Sequence, residues 1–236
     1  NAVDYCDLKV FVIALYKAME QGKNFMFRVA AAIVKVIGGI SDQPLLTRKD
    51  MVVKETKNGG IIVVGSHTQK TTSQVEELKK LKDLVFMEFD SDLVLDEAAF
   101  QKEIENTLKT EEELISSGKT VVVYTKRKLL VVENDTKEDA LIRSVKISDA
   151  VQSLVGKLKV TPAFVIAKGG ITCSDVRKKA LQVRKANVLG QICPGIPVWQ
   201  TGAESKFPMI PYIIFPGNVG EVTTLKEAVE ILLNRK

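Results

Sequence analysis

The feature that most constrains the fold is a set of short, continuous apolar runs separated by helix-forming stretches. Residues 61–64 read Ile-Ile-Val-Val, residues 120–124 read Thr-Val-Val-Val-Tyr, and residues 164–167 read Phe-Val-Ile-Ala. Strands that are apolar along their whole length are typical of parallel sheets covered by helices on both faces. Alternation of strands with helices along the chain favours the same class. The sequence therefore predicts a three-layer α/β fold, with a mostly parallel sheet and helices on both faces.

Apolar periodicity and turn residues predict where the individual elements lie. Strands are predicted at residues 61–64, 84–89, 120–124, 163–167 and 213–215. Helices are predicted at residues 7–21, 28–37, 71–82, 96–117, 137–158, 170–184 and 223–234. Residues 129–132 are expected to extend the third strand or to pair with it. The Gly- and Pro-rich stretch 188–215 predicts irregular structure or an edge hairpin.

A polar stretch at residues 40–58, which contains Pro44, is typical of a linker. We therefore divide the chain into residues 1–45 and a main domain at residues 46–236. The chain does not begin with Met, and we expect it to be part of a longer protein. It has no apolar run of the roughly 18 residues that a membrane span needs, and its first residues do not resemble a signal peptide. We expect no membrane partner.

The charge pattern is that of an ordinary solvated surface. The net charge at pH 7 is +5, and basic residues are mostly interleaved with acidic ones. The denser stretches Lys126–Lys128, Arg177–Lys185 and Glu111–Glu113 are expected to be solvated faces. Aromatic residues make up only 6% of the chain, whereas proteins that bind single strands interleave aromatic rings with basic charge. We therefore expect no nucleic acid partner, while the mild positive bias suits an anionic ligand.

Cysteine and histidine are too sparse for a metal site. Cys6, Cys173 and Cys193 are far apart and form no CxxC pair. This spacing predicts a reducing, cytoplasmic compartment and no structural zinc. The single histidine, His67, also argues against a histidine-based site. No metal ligand is predicted in this chain.

Three strand–helix junctions carry small, glycine-rich loops. Loop 1 is Gly65–Thr68, loop 2 is Lys168–Thr172, and loop 3 is Pro216–Gly220. Glycine lets the backbone approach a phosphate closely, and helix N-termini present free N–H groups that favour anions. In open α/β sheets, ligands bind beyond the carboxyl ends of the strands, where all three loops would lie. Together the loops predict a site for a phosphate or another anion.

Each loop taken alone is also typical of an ordinary turn, in which Gly, Ser and Thr serve only the backbone. Neither of the common nucleotide fingerprints, GxxxxGK[ST] and GxGxxG, occurs in the chain. The residues themselves therefore predict an anion without naming a nucleotide.

Several side chains near the loops are open to more than one interpretation. Lys168 is either a point charge for a phosphate or a solvated lysine at a strand end. We expect His67 to hydrogen bond or stack near the ligand rather than to act as a general base. Asp175 and Glu221 are expected to complement helix dipoles rather than to bind Mg²⁺. Cys173 is interpreted as a small packing residue.

The order of these loops, with the residues between them, resembles the C-terminal nucleotide-binding domain of the four-carbon acid sugar kinase family. The match extends over roughly residues 60–235, and residues 1–40, including Phe27–Ala31, resemble the end of the family's N-terminal domain. The motifs that carry the resemblance are Gly65–Thr68 with Thr71 and Gln74, Lys168–Thr172 with Ser174 and Asp175, Val188–Gln191, Pro194–Trp199, Glu204–Ser205, Phe207–Pro208 and Phe215–Gly220.

The resemblance implies a kinase whose N-terminal domain holds a four-carbon sugar acid, such as a threonate or erythronate, and whose C-terminal domain binds ATP with Mg²⁺. Residues 1–45 would then be the tail of the sugar-acid domain with its linker. The catalytic residues are expected in the N-terminal domain, whose acidic motif is absent here, so this chain alone is expected to bind rather than to catalyse. A homodimer is one assembly state we expect. By position, the implied nucleotide contacts are Ser66, His67, Thr68, Lys168, Gly169, Gly170, Ile171, Thr172, Gly217, Asn218, Val219 and Gly220.

Two motifs depart from the common family pattern. Many members have Lys-Ser-Gly-Asn-Phe-Gly where this chain has Phe215–Gly220, and Gly-Gly-Glu-Thr where it has Gly169–Thr172. Lys168 is a candidate to replace the missing lysine charge. Two other hypotheses stay open from the residues alone. The loops could serve a non-enzymatic module that binds a sugar phosphate or another anionic metabolite, or they could be plain turns of a domain that serves a partner protein.

Overall fold

The chain folds as two units, which the computed structural model describes over residues 1–234. The first unit runs from Asn1 to Pro44, and the second begins at Leu45. None of the helices in this described part combines the length and the apolar character that crossing a membrane requires. The assignment of the first unit to a sugar-acid domain stays a prediction.

The first unit is a pair of helices, α1 (Tyr5–Glu20) and α2 (Ala31–Ile37). Helix α1 begins earlier than predicted because Asp4 caps it, accepting hydrogen bonds from two backbone N–H groups of the first turn. The Tyr16 hydroxyl donates to the Ile37 carbonyl at 2.6 Å and so ties the two helices together. The buried apolar side chains of this unit are Val12 and Leu15.

The second unit begins with a one-turn helix, α3 (Arg48–Met51), inside the predicted linker, and Met51 is completely buried. Its strands are β1 (Ile61–Val64), β2 (Leu84–Phe89), β3 (Thr120–Thr125), β4 (Val165–Lys168), β5 (Ala186–Cys193), β6 (Ile196–Thr201) and β7 (Pro211–Phe215). Its longer helices are α4 (Gln69–Leu78), α5 (Glu97–Ser116), α6 (Lys137–Gly156), α7 (Gly170–Asp175) and α8 (Thr224–Leu232).

The strands form one seven-stranded sheet in the order β2-β3-β1-β4-β7-β6-β5. The first five strands of this order pair in parallel, with β1 beside β3 and β4, and β4 beside β7. Strands β6 and β5 continue the sheet as an antiparallel hairpin at the edge. The predicted parallel sheet is confirmed, and the stretch after residue 188 is the edge hairpin.

Helices cover both faces of the sheet, as the continuous apolar strands predict. Because side chains alternate along a strand, β1 contributes to two cores. Ile61 and Val63 pack in one core with helices α5, α6 and α7, whereas Ile62 and Val64 pack in the other with α4 and α8. The three-layer α/β class is confirmed.

Sequence predictions also differ from the structure in three segments of the second unit. Residues 129–132 form no strand, because both edges of β3 are already paired, with β2 and with β1. The helix predicted over 170–184 is shorter, since α7 passes into a π-helical turn at Val176–Ala180. Glu111 is not on a solvated face: it is completely buried on the inner side of α5, in line with Ile104 and Ile115.

Candidate functional site

Loops 1, 2 and 3 lie side by side because they follow strands β1, β4 and β7, which are neighbours in the sheet. The backbones at the strand ends are joined directly. The Gly65 N–H donates to the Lys168 carbonyl at 3.2 Å, and the Gly169 N–H donates to the Phe215 carbonyl at 3.0 Å. All three loops therefore lie at the carboxyl edge of the parallel strands, where such sheets bind ligands.

Ser66, Gly169 and Gly217, one residue from each loop, meet at a single point. A Cβ atom added to Gly217 would lie 3.4 Å from Ser66 Oγ and 3.8 Å from Gly169 Cα. A Cβ atom added to Gly169 would lie 3.2 Å from Ser66 Cβ. A side chain would be tightly packed at Gly169, whereas at Gly217 a Cβ atom would make ordinary van der Waals contacts.

A group of hydroxyls lies between loops 1 and 3. Thr71 Oγ1 is 3.1 Å from Ser66 Oγ and 3.3 Å from the Gly217 carbonyl oxygen. Thr68 caps helix α4, since its Oγ1 accepts a hydrogen bond from the Thr71 N–H at 3.3 Å. Hydroxyl protons rotate to suit their partner, so these groups can turn toward phosphate oxygens.

Loop 2 has a backbone that only glycine adopts readily. Gly169 has a φ of 124° and a ψ of 144°, a conformation nearly confined to glycine. A Cβ atom on Gly65 would lie 2.3 Å from Thr172 Oγ1, so this position also excludes a side chain. Gly170, by contrast, faces open space, and a Cβ atom there would meet no protein atom within 4 Å.

Helix α4 holds loop 3 in place through two side chains. Lys70 Nζ donates to the Gly220 carbonyl at 3.2 Å. Gln74 is completely buried, and its Nε2 donates to the carbonyls of Glu221 at 2.8 Å and Val219 at 3.3 Å. Thr71 and Gln74 thus contribute to the site by packing loop 1 against loop 3.

Lys168 lies beneath loop 3 and is completely buried. Its Nζ donates to the Pro216 carbonyl at 2.7 Å and to the Gly217 carbonyl at 3.3 Å, and it lies 4.2 Å from the centroid of the Phe215 ring. Burial lowers the pKa of Lys168 to about 8. The solvated interpretation of this lysine is wrong, and its ammonium group is a buried positive charge behind the loops.

His67 and Arg127 lie at the other side of loop 1. His67 Nε2 is 3.3 Å from Thr125 Oγ1, and burial, reinforced by the neighbouring Arg127 charge, lowers the pKa of His67. Arg127 donates to the Ser66 carbonyl and, at 3.2 Å, to Thr72 Oγ1. Its Nη1 is buried without a hydrogen-bond partner among the described residues. The lowered pKa favours the neutral form of His67, and Arg127 fixes the backbone of loop 1.

The acidic and thiol groups near loop 2 are engaged elsewhere. The Cys173 thiol is buried and donates to the Ala167 carbonyl at 2.9 Å, and burial raises its pKa to about 11, which fits a packing residue. Asp175 accepts a hydrogen bond from Ser148 at 2.7 Å and lies 3.6 Å from Lys179. Across residues 1–234, no group of three or more His, Cys, Asp and Glu side chains could hold a metal ion.

Next to the loops a cavity of about 510 Å³ opens on the α6 side of the sheet. Gly65, His67 and Thr172 form the end of it that adjoins loops 1 and 2. Its remaining wall comes mainly from α6 and from residues 129 and 130. The cavity therefore shares residues with loops 1 and 2.

The structure brings all twelve predicted site residues to one edge of the sheet, although their positions differ. Ile171 and Asn218 face solvent, whereas Lys168 is buried behind the loops. Neither a role for Arg127 nor the cavity is predicted from the sequence. The basic stretch predicts a solvated face for Arg127, yet Arg127 follows β3, a neighbour of β1, and this placement is the signal that identifies it.

No curated protein matches this chain. Solved structures that are similar in fold include the following two. One is a domain of unknown function, DUF1537, from Bordetella bronchiseptica, which was solved with bound citrate as a domain-swapped dimer. It is 15% identical to this chain, and the TM-score is 0.60. The match covers 98% of this chain and 52% of the Bordetella chain. The other, from Salmonella typhimurium LT2 under a provisional tRNA synthase name, has 16% identity and a TM-score of 0.59 over 97% and 51%. The chain therefore spans about half the length of these proteins.

A family described as a nucleotide-binding C-terminal domain matches residues 61–225. This range begins at β1, ends in α8, and includes all three loops. It covers well over half of the chain, and it confirms the resemblance found in the sequence. The chain belongs to the nucleotide-binding C-terminal domain family.

Proposed function

We propose that the second unit binds ATP on loops 1, 2 and 3, as the nucleotide-binding part of a kinase for a four-carbon sugar acid. The observation that carries this proposal is the meeting of Ser66, Gly169 and Gly217 at one point of the sheet edge. Three loops from adjacent parallel strands can supply backbone N–H groups and hydroxyls to one ligand, which is what a chain of phosphates requires. Family membership supports a nucleotide as the source of those phosphates.

The chain's own residues suit the positioning and charge stabilisation on which phosphoryl transfer depends. Ser66 and Thr71 offer hydroxyls at the point where the loops meet. Lys168 supplies a positive charge from below, and Arg127 fixes the backbone of loop 1. The group that accepts a proton from the sugar hydroxyl is expected in the N-terminal domain that the resemblance implies.

Mg²⁺ would accompany the nucleotide rather than occupy a site built by this chain. The described residues form no carboxylate cluster, and Asp175 is already held by Ser148 and Lys179. Mg²⁺ commonly keeps several waters and is bound largely through substrate phosphates. The residues present do not fit a dedicated magnesium cage, and no step of the proposal depends on one.

The substrate, compartment and assembly are parts of the same proposal. The order of motifs over residues 60–235 supports a four-carbon sugar acid as the acceptor. Cys6, Cys173 and Cys193 lie far apart in the sequence and form no CxxC pair, which supports a reducing, cytoplasmic compartment. A homodimer is proposed because the Bordetella protein is a domain-swapped dimer, and sedimentation of this chain at several concentrations tests it.

Titration calorimetry with ATP, ADP and a sugar phosphate such as ribose 5-phosphate tests the ligand. We expect ATP and ADP to bind and the sugar phosphate to bind far more weakly. Gly170→Val should weaken ATP binding while leaving the melting temperature nearly unchanged, because a Cβ atom at this position would face open space. Binding of the sugar phosphate alone would instead favour the non-enzymatic module. Unchanged ATP affinity in Gly170→Val would argue for plain turns.

Turnover is tested separately from binding. Incubated with ATP, Mg²⁺ and threonate or erythronate, this chain alone is expected to release no ADP, because the catalytic group lies elsewhere. Sugar-dependent release of ADP would show that the catalytic residues had been placed in the wrong domain, while leaving the ATP site intact.

A further inference from the structure

The cavity beside the loops has the size of a small-molecule site. Its volume of about 510 Å³ falls within the range of roughly 300–1,000 Å³ that is usual for ligand pockets. Gly65 and Thr172, which line one end, also belong to loops 1 and 2. A ligand with phosphates on the loops would therefore have its remaining part next to this cavity.

The walls of the cavity are mainly aliphatic. Leu130, Ile147 and Val151 line it from two sides, and all three pack in the core that α5, α6 and α7 share. Hydroxyls of Ser91, Thr125 and Ser144 also belong to the wall. Aliphatic faces with a few hydroxyls suit a flat, weakly polar group that carries some hydrogen-bonding atoms.

The charged groups of the wall are already neutralised. Arg143 forms an ion pair with Asp135. Lys179 lies 2.5 Å from Asp149 and 3.6 Å from Asp175. Since these cations have carboxylate partners, the cavity suits an uncharged group better than a second anion.

The rim of the cavity carries large apolar side chains that face solvent. Leu129 and Leu141 are each 64% exposed, and Ile171 is 72% exposed. Exposed apolar side chains that surround a cavity commonly mark a binding site. Ile171 belongs to loop 2, so part of this apolar surface lies next to the loops.

We infer that this cavity holds the nucleoside of the bound nucleotide, with the base between α6 and residues 129–130 and the phosphates passing Gly65 and Thr172 to reach the loops. The inference rests on the proposed function, and it adds the part of the site that distinguishes a nucleotide from any other polyphosphate. It makes Ser144, on α6, and Leu129, in the segment after β3, residues that decide whether the nucleoside fits.

Two substitutions that fill the cavity test this inference. Ser144→Trp and Leu129→Trp each place a bulky ring at the wall, and both residues are exposed, so the fold should tolerate the change. Ile142→Trp is the matched control, because Ile142 is exposed on the same helix but is not part of the wall. Affinities for ATP and for inorganic tripolyphosphate are measured for each variant by titration calorimetry.

In both cavity variants, ATP affinity should fall by at least about tenfold, with tripolyphosphate affinity unchanged. Ile142→Trp should bind both ligands like the wild type. Wild-type ATP affinity in both cavity variants, or equal loss of ATP and tripolyphosphate affinity, would overturn the nucleoside assignment while leaving ATP binding on the loops in place. Wild-type protein that binds no ATP would overturn the proposed function itself, and the assignment with it.

Discussion

Burial of Lys168 gives the site a positive charge that titrates near neutral pH. The ammonium group is removed from water and held by the carbonyls of Pro216 and Gly217, and burial lowers its pKa to about 8. A nearby anion favours the protonated form. Nucleotide binding is therefore expected to be coupled to the protonation of this lysine.

The coupling predicts a pH-dependent affinity for ATP. As the pH rises from 7 to 9, free protein loses the Lys168 proton, so ATP affinity should fall, by about fivefold if binding raises the pKa of Lys168 by about one unit. Lys168→Met should bind ATP more weakly at pH 7 and should lack this pH dependence. Calorimetry at both pH values measures the two effects.

Lys70→Met is the control for charge alone. Lys70 also contacts loop 3, through the Gly220 carbonyl, but from the exposed side. This variant should lose some ATP affinity and keep a pH dependence, moved to a higher pH because the Lys70 charge helps to lower the pKa of Lys168. The same pH dependence in Lys168→Met would contradict the assignment to Lys168.

Glu111 is a buried carboxyl group that costs stability at neutral pH. Both of its oxygens are buried without a hydrogen-bond partner among the described residues, and burial raises its pKa well above 4.5. The unfolded chain therefore loses this proton at a lower pH than the folded protein does. The cost in stability is therefore absent below about pH 4.5, and it grows as the pH rises toward the folded-state pKa.

Glu111→Gln should remove this pH-dependent loss, and at pH 8 it should raise the free energy of unfolding by roughly 1–3 kcal/mol. Urea denaturation at pH 5 and pH 8 measures the change. Glu113→Gln, on the exposed side of the same helix, should leave the pH dependence as in the wild type. A smaller free energy of unfolding for Glu111→Gln at pH 8 would show that the carboxylate has a partner.

At the scale of elements, the strands were easier to predict than their surroundings. The bounds of β1 and β2 agree with the prediction to the residue, because each is a short apolar run between turn residues. Residues 129–132 have the same local character, yet they form no strand, since pairing depends on which strand edges are free. Local pattern thus predicts that a segment can form a strand, and topology decides whether it does.

In the site, too, some features follow from the local sequence pattern and others depend on the tertiary structure. Loops 1, 2 and 3 were predictable because glycine and hydroxyl residues after buried strands have a physical reason to be there. The burial of Lys168 and Arg127 was not, because a basic residue at a strand end has the same sequence signature whether it faces water or the protein. The cavity was also not predictable, since its wall combines α6 with residues from four strand ends.

Loop 2 offers a test of how strictly the backbone fixes the site. Gly169→Ala should lower the free energy of unfolding by roughly 1–3 kcal/mol, because its backbone conformation is nearly confined to glycine and a Cβ atom would lie 3.1 Å from Thr172 Oγ1. Gly170→Ala, one residue later in open space, should change it by less than about 0.5 kcal/mol. Urea denaturation of both variants gives the comparison, and equal stability would mean that loop 2 readily adopts another conformation.

At the scale of the whole molecule, the two units differ in how much core they possess. The second unit has two cores on opposite faces of the sheet, formed by residues from Met51 to Leu232. The first unit buries few apolar side chains, and Val10, Phe11 and Ile13 are exposed. A helix pair with so little core does not reach the burial that independent folding requires.

This difference predicts that the second unit is independent of the first. A chain that begins at Leu45 should unfold cooperatively, with a free energy of unfolding within about 1 kcal/mol of that of the full chain, and should bind ATP with the same affinity.

A chain that begins at Val53 is the control, because it lacks the buried Met51 and the hydrogen bond from the Leu46 N–H to the Gln191 carbonyl at 2.8 Å. It should lose roughly 2–5 kcal/mol, as expected for removing a large core side chain. Urea denaturation with ATP titration separates these cases. If the chain from Leu45 were as unstable as the chain from Val53, the first unit would be required for the fold, and residues 1–44 would have to be counted as part of the nucleotide-binding domain.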